Sequence, residues 1–115
     1  MTPIHDPIIP VRFFVTENGH EPVREWLKEL GRPDSQIVGE DIRTIQRGFP
    51  VGMPVCRALR DGLYEIRSDL THNRISRVLF CFSGNQIVLL HGFIKKTRKT
   101  PDADLRKARD RQRQI

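Results

Sequence analysis

Two apolar stretches joined by a tight turn constrain this chain most. "RISRVLFCFSG" (74–84) alternates Val78, Phe80 and Phe82 with Arg77, Leu79 and Cys81, the period of a strand with two different faces. "NQIVLLHGF" (85–93) is almost continuously apolar, as a central strand is. Ser83-Gly84-Asn85 between them predicts a tight hairpin. A third strand precedes them: "LYEIR" sets Tyr64 and Ile66 against Leu63, Glu65 and Arg67. Asp61-Gly62, just before it, predicts a turn, or else a bulge within one bent strand.

The first half of the chain has another rhythm. "VRFFVT" (11–16) reads as a short strand, with Asn18-Gly19 as the turn after it. In "EPVREWLKELG" (21–31) the residues Val23, Trp26, Leu27 and Leu30 fall on one side of a helix. Pro22 suits its first turn and Gly31 its end. A second helix, capped by Asp34 or Ser35, runs to about Arg47, with Ile37, Val38, Ile42 and Ile45 as its apolar side. Gly39 weakens it somewhat. The two helices make a hairpin, and "RGFPVGMP" (47–54) is a loop. At the other end, "TPDADLRKARDRQRQI" predicts a last helix with Thr100 as N-cap and Pro101 at its first position. Asp102 and Asp104 suit its start, and its apolar stripe of Leu105, Ala108 and Ile115 is thin. The order β-α-α-β-β-β-α, with an antiparallel meander, is that of an α+β fold. Residues 1–10 are expected to form an irregular extension, and 11–115 a single domain.

Length and composition agree. A chain of 115 residues buries a core without disulfides or metals. Cys56 and Cys81 show no CxxC pattern and read as buried thiols. His5, His20, His72 and His91 are scattered without metal-ligand spacing, so neither a metal nor another cofactor is expected. No apolar run approaches the roughly 20 residues that cross a bilayer. "MTPIHDPIIP" lacks the basic start of a signal peptide, so the expected location is cytoplasmic. Charge is uneven. Residues 1–56 hold six Lys/Arg against eight Asp/Glu, a net −2, and residues 57–115 hold fourteen against six, a net +8. Such a basic half suits a polyanionic partner.

Alternation assigns the candidate chemistry to one face. If Tyr64, Ile66, Val78, Phe80 and Phe82 meet the helical hairpin, Arg67 and Arg77 point to the other side of the sheet. Two guanidiniums there either share an anion, as a phosphate clamp, or are neutralised within the sheet, with Glu65 as the nearest partner. His91 ends the apolar strand, and Lys95, Lys96, Arg98 and Lys99 follow it within eight residues. A histidine there could be a satisfied core residue or could move a proton near neutral pH. The lysines could hold a phosphate or neutralise a leaving oxygen. Phe93 could stack on a base, though core packing suits it as well. "RKARDRQR" in the tail reads as a solvated helix that adds non-specific attraction to RNA.

Taken together, "LRDGLYEIR", "RISRVLFCF" and "IVLLHGFIKKTRKTP" with its following helix resemble the phage-related HigB branch of the RelE/ParE toxin superfamily, over roughly residues 11–110. The resemblance implies a small twisted antiparallel sheet on an N-terminal helical hairpin, with a C-terminal helix. It also implies the toxin of a type II toxin–antitoxin system: an mRNA endoribonuclease, acting at the ribosome and needing no metal, in which the substrate's own 2′-OH attacks the adjacent phosphate. Carried over onto this chain, Arg67, Arg77, Lys95 and Lys96 orient RNA and stabilise the charged intermediate, and His91 is the candidate for proton transfer. Arg74, Phe93, Arg98 and Lys99 are the expected further RNA contacts. The implied partners are a helix-turn-helix, HigA-like antitoxin, mRNA and the ribosome, with no membrane and no metal. Two rivals remain: a ParE-like toxin that acts on DNA gyrase without catalysis, and a basic module that only docks on nucleic acid.

Overall fold

The computed structural model describes residues 8–49, 55–96 and 98–115. Most of the expected N-terminal extension, five residues of the expected loop (50–54) and Thr97 of the "FIKKT" motif lie outside them. The chain runs β1 (Val11–Phe13), α1 (Pro22–Leu30), α2 (Asp34–Gly48), β2 (Cys56–Ala58), β3 (Leu63–Asp69), β4 (Ile75–Ser83), β5 (Gln86–Lys95) and α3 (Asp102–Gln112). The fold is α+β. No helix among the described residues is long and apolar enough to cross a membrane.

The five strands form one sheet in the order β1-β5-β4-β3-β2. Two features differ from the expected meander. The stretch before Asp61-Gly62 is a strand of its own, β2, antiparallel to β3. Asp61 and Gly62 form the turn between them, with φ of 58° and 74°, the left-handed region that Gly and Asp tolerate best. The second difference is β1, which lies beside β5 in parallel and makes the sheet mixed. β1 adds to the free side of β5 at one edge of the meander, and β2 forms the other edge of the sheet. Residues ahead of β1 continue this contact: the amide of Ile87 donates to Pro10 O at 2.8 Å, and Gln46 Nε2 donates to Ile9 O at 2.9 Å.

The helix ends were partly legible. Gly31 ends α1 with φ of 67°. Asp34 and Thr100 do not cap helices as expected: no side chain caps α2 or α3. Both are buried and hold the sheet instead. Asp34 accepts from the Thr71 amide at 3.0 Å and the Thr71 hydroxyl at 2.9 Å.

Each face of the sheet has its own core. Val23, Val38, Ile42 and Ile45 from α1 and α2 pack on Ile66, Val78, Phe80, Ile87 and Leu89, with Tyr64 and Phe82 beside them, as the alternation predicts. Phe49 meets this aromatic group edge-on, 5.2 Å from Tyr64 and 4.8 Å from Phe82. On the opposite face Leu63, Leu79, Cys81, Val88, Leu90 and Phe93 meet Ala108 and Leu105 of α3. The two free cysteines are buried, one in each core.

One irregularity decides what shares a face. Leu79 pairs with His91 but Phe80 pairs with Leu89, so β5 carries an extra residue there, a β-bulge. Leu90 and His91 both turn towards α3, and the alternation of β5 is reversed from that point on. Without the bulge Phe93 and Lys95 would face α1 and α2. With it they stand on the same face as Arg67 and Arg77.

Candidate functional site

Beyond the edge of α3, four strands present their polar residues in register. Arg57 of β2 pairs with Glu65 of β3. One step along, Arg67 of β3 lies directly opposite Arg77 of β4, and Arg77 opposite Phe93 of β5. A further step brings Ile75 against Lys95. Arg57, Arg67, Arg77 and Lys95 therefore crowd one face.

Only one carboxylate is buried among them. Glu65 is 2% exposed. It pairs with Nη1 of Arg77, stands 3.1 Å from Nη2 of Arg57, and accepts from the Thr100 hydroxyl at 2.6 Å. Of the two sheet arginines for which Glu65 is the expected internal partner, it takes Arg77; Arg67 instead reaches Asp69, at 3.4 Å on the exposed rim. The Nε atoms of Arg57, Arg67 and Arg77 are buried and have no hydrogen-bond partner among the described residues. A buried N–H without an acceptor is costly. The charges also act on Lys95. Burial lowers its pKa, and Arg77, Arg67, Arg57 and Arg98 add to the effect. Beside it lies a shallow hollow of about 250 Å³ lined by Asn73, Ile75, Lys95, Lys96 and Arg98.

Other expected site residues are occupied elsewhere. His91 is mostly buried, and its Nε2 is 2.6 Å from Asp104 of α3. Its ring stacks on Phe93 with centroids 5.5 Å apart. Burial lowers its pKa, outweighing Asp104, and the cations that bear on it are Arg111 and Lys107 of α3. Along β5, Phe93 lies between it and Lys95. Phe93 itself is 9% exposed and part of the second core. Arg74 turns to the other face of the sheet, where its Nη2 pairs with Asp34 and its Nε donates to Thr71 O at 3.2 Å. That clamp fixes a turn in which His72 and Asn73 both have positive φ, 59° and 57°. Lys96, Arg98 and Lys99 are exposed. The tail helix is less solvated than expected, because three side chains hold it down. Arg109 Nη1 donates to Arg60 O at 3.1 Å, Arg111 Nη1 to Leu90 O at 2.8 Å and Gln112 Nε2 to Asp61 O at 2.9 Å.

A family model described as "Phage derived protein Gp49-like (DUF891)" matches residues 25–113. The chain belongs to this Gp49-like family. It is a phage-derived, toxin-like family related to the RelE and HigB types and associated with toxin–antitoxin systems. No curated protein matches the chain. The Gp49-like match begins within α1, so it leaves out β1 but includes every cation of the cluster.

Sequence reasoning missed Arg57, Thr100 and Asp104 in this Gp49-like chain. Arg57 had a signal: it precedes the Asp61-Gly62 turn by about the distance that brings it opposite Glu65 in a hairpin. Thr100 and Asp104 had none, since both read as ordinary helix-start residues. Among the described residues no three His, Cys, Asp or Glu side chains are grouped so as to hold a metal ion.

Proposed function

We propose that the chain is the toxin of a type II toxin–antitoxin pair and a metal-independent endoribonuclease that cleaves mRNA at the ribosome. The observation that carries this reading is the cluster of Arg57, Arg67, Arg77 and Lys95 on one face of the sheet, beside a hollow lined by Lys95, Lys96 and Arg98. An RNA phosphate is the anion that suits such a group of cations. The 2′-oxygen attacks the adjacent phosphorus as its proton leaves. The bond from phosphorus to the 5′-oxygen then breaks, and that oxygen takes up a proton. The products are a 2′,3′-cyclic phosphate and a 5′-OH, and no water is consumed. Guanidiniums fixed around the phosphate stabilise the charge that builds on its oxygens.

Proton transfer moves in this reading from His91 to Lys95. His91 is bound to Asp104, the cations that bear on it belong to α3, and along β5 Phe93 lies between it and Lys95. Lys95 belongs to the cluster, and its lowered pKa makes it the better acid towards the leaving oxygen. Lys96, Arg98 and Lys99 extend the phosphate track. A HigA-like antitoxin with helix-turn-helix architecture neutralises the toxin by laying acidic residues on the same cations.

Primer extension on cellular mRNA after brief expression tests the reading. Discrete new 5′ ends, lost in Arg77→Ala and Lys95→Ala, are expected. Intact mRNA with DNA damage would transfer the chain to the gyrase-poisoning type, and the absence of any growth effect would leave a docking module.

A further inference from the structure

A guanidinium offers two places to hold a carboxylate or phosphate, its Nη end and its Nε edge. Glu65 engages Arg77 through Nη1 and Arg57 through Nη2. In both residues the Nε is left buried without a partner, as it is in Arg67 next to them. Arg77 is itself 6% exposed, so its orientation is fixed by what it touches. Glu65 is fixed in turn by the Thr100 hydroxyl, on the segment that leads into α3. The carboxylate thus does two things. It offsets repulsion between the guanidiniums of Arg57 and Arg77, and it fixes where both of them lie.

These two effects act oppositely on RNA. A negative charge in the cluster weakens attraction for a phosphodiester in its ground state. Fixed guanidinium edges favour the more highly charged state through which cleavage passes, and only that difference accelerates the reaction. We propose that Glu65, held by Thr100, is a positioning residue for Arg57 and Arg77 that weakens RNA binding and speeds RNA cleavage, with Arg57 a third phosphate ligand beside Arg67 and Arg77. The inference rests on the ribonuclease reading above. An ion pair that merely stabilises the sheet behaves differently: its loss lowers affinity and rate together.

Glu65→Gln separates the two, because it keeps the shape and the hydrogen bond to Thr100 and removes the charge. Affinity is measured on ribosome-bound mRNA carrying a 2′-deoxy nucleotide at a mapped cleavage position, which cannot be cut. The rate is the single-turnover cleavage of the matching ribonucleotide message at saturating toxin, and a thermal melt confirms folding. The expected result is affinity tighter by up to about threefold from the lost negative charge, with cleavage slower by about tenfold or more. Thr100→Val keeps the charge and frees the carboxylate; it should slow cleavage at unchanged affinity, and it serves if Glu65→Gln does not fold. Parallel losses of affinity and rate, or no change in either, overturn the proposal. A wild-type protein that cuts no message overturns the ribonuclease reading itself, which is a separate outcome.

Discussion

Gly92 sits in β5 one residue beyond the bulged pair, on the face turned to α1. A Cβ added there would lie 2.5 Å from Cε3 of the Trp26 ring and 2.8 Å from its Cδ2 and Cζ3. Carbon atoms in contact settle at about 3.5–4.0 Å, so the indole or the whole of α1 has to move by about 1 Å. Trp26 packs against the first core and has little room to yield. Overpacking of this kind costs about 1–3 kcal/mol. For a chain of this length each kcal/mol shifts the melting temperature by about 3–6 °C, so Gly92→Ala is expected to lower it by about 5–15 °C. The backbone of Gly92 is not in the left-handed region, and a strand prefers Ala to Gly by roughly 0.5–1 kcal/mol. With the indole removed, the same substitution should therefore be neutral or stabilising. Melts followed by circular dichroism on the wild type, Gly92→Ala, Trp26→Leu and the double variant complete the cycle. An equal penalty for Gly92→Ala in both backgrounds would refute the close approach as the reason for glycine.

Burial lowers the pKa of His91, so the unfolded chain takes up the proton first, near pH 6.5. His91 thus contributes stability that is present above that pH and lost as pH falls towards its folded value; the urea midpoint should drop between pH 7.5 and 5.5, and drop less in His91→Gln. Asp34 is also lowered, chiefly by the Thr71 amide; its contribution is present above about pH 3.9 and lost on further acidification, so Asp34→Asn should flatten the stability profile only at the acid end. Lys95→Met should reduce the slope of log affinity for single-stranded RNA against log salt by about 0.7, the loss of one phosphate contact, whereas an unchanged slope would put Lys95 outside the binding track. Arg67→Ala should abolish cleavage with little change in melting temperature. Arg74→Ala should do the reverse, because its guanidinium holds Asp34 and the turn instead of the substrate face.

The elements were legible because their signals are local. Helical spacing in Val23, Trp26, Leu27 and Leu30, and alternation in Tyr64–Arg67 and Arg77–Phe82, depend on neighbours a few residues away. The candidate site was less legible because it depends on register. Which face Lys95 occupies is set by one extra residue at Leu90, and nothing in "IVLLHGF" distinguishes a regular strand from a bulged one, since both faces of that strand are apolar. Glu65 and Thr100 are 35 residues apart in the chain, and Asp34 and Arg74 are 40 apart. Single-sequence reading has no access to pairings at that range, and it assigned Asp34 and Thr100 to the local work their residue types most often do.

The position of the charge follows from the shape of α3. This helix is poorly apolar and covers only part of its sheet face, the rows that carry Leu63, Leu79, Cys81, Val88 and Leu90. Asp104 and the Thr100 hydroxyl mark the place where its cover ends, by holding His91 and Glu65. Beyond that line lie the row Arg67–Arg77–Phe93, in which Phe93 still packs in the second core and Arg77 is buried against Glu65, and the row Asp69–Ile75–Lys95. Long cationic side chains at such an edge lay their methylenes on the sheet. The dense run of cations after the chain's most apolar strand is thus where an incompletely covered sheet meets solvent. A single bulge brings it round to the two arginines, and one buried glutamate pairs with Arg77 and Arg57 among them.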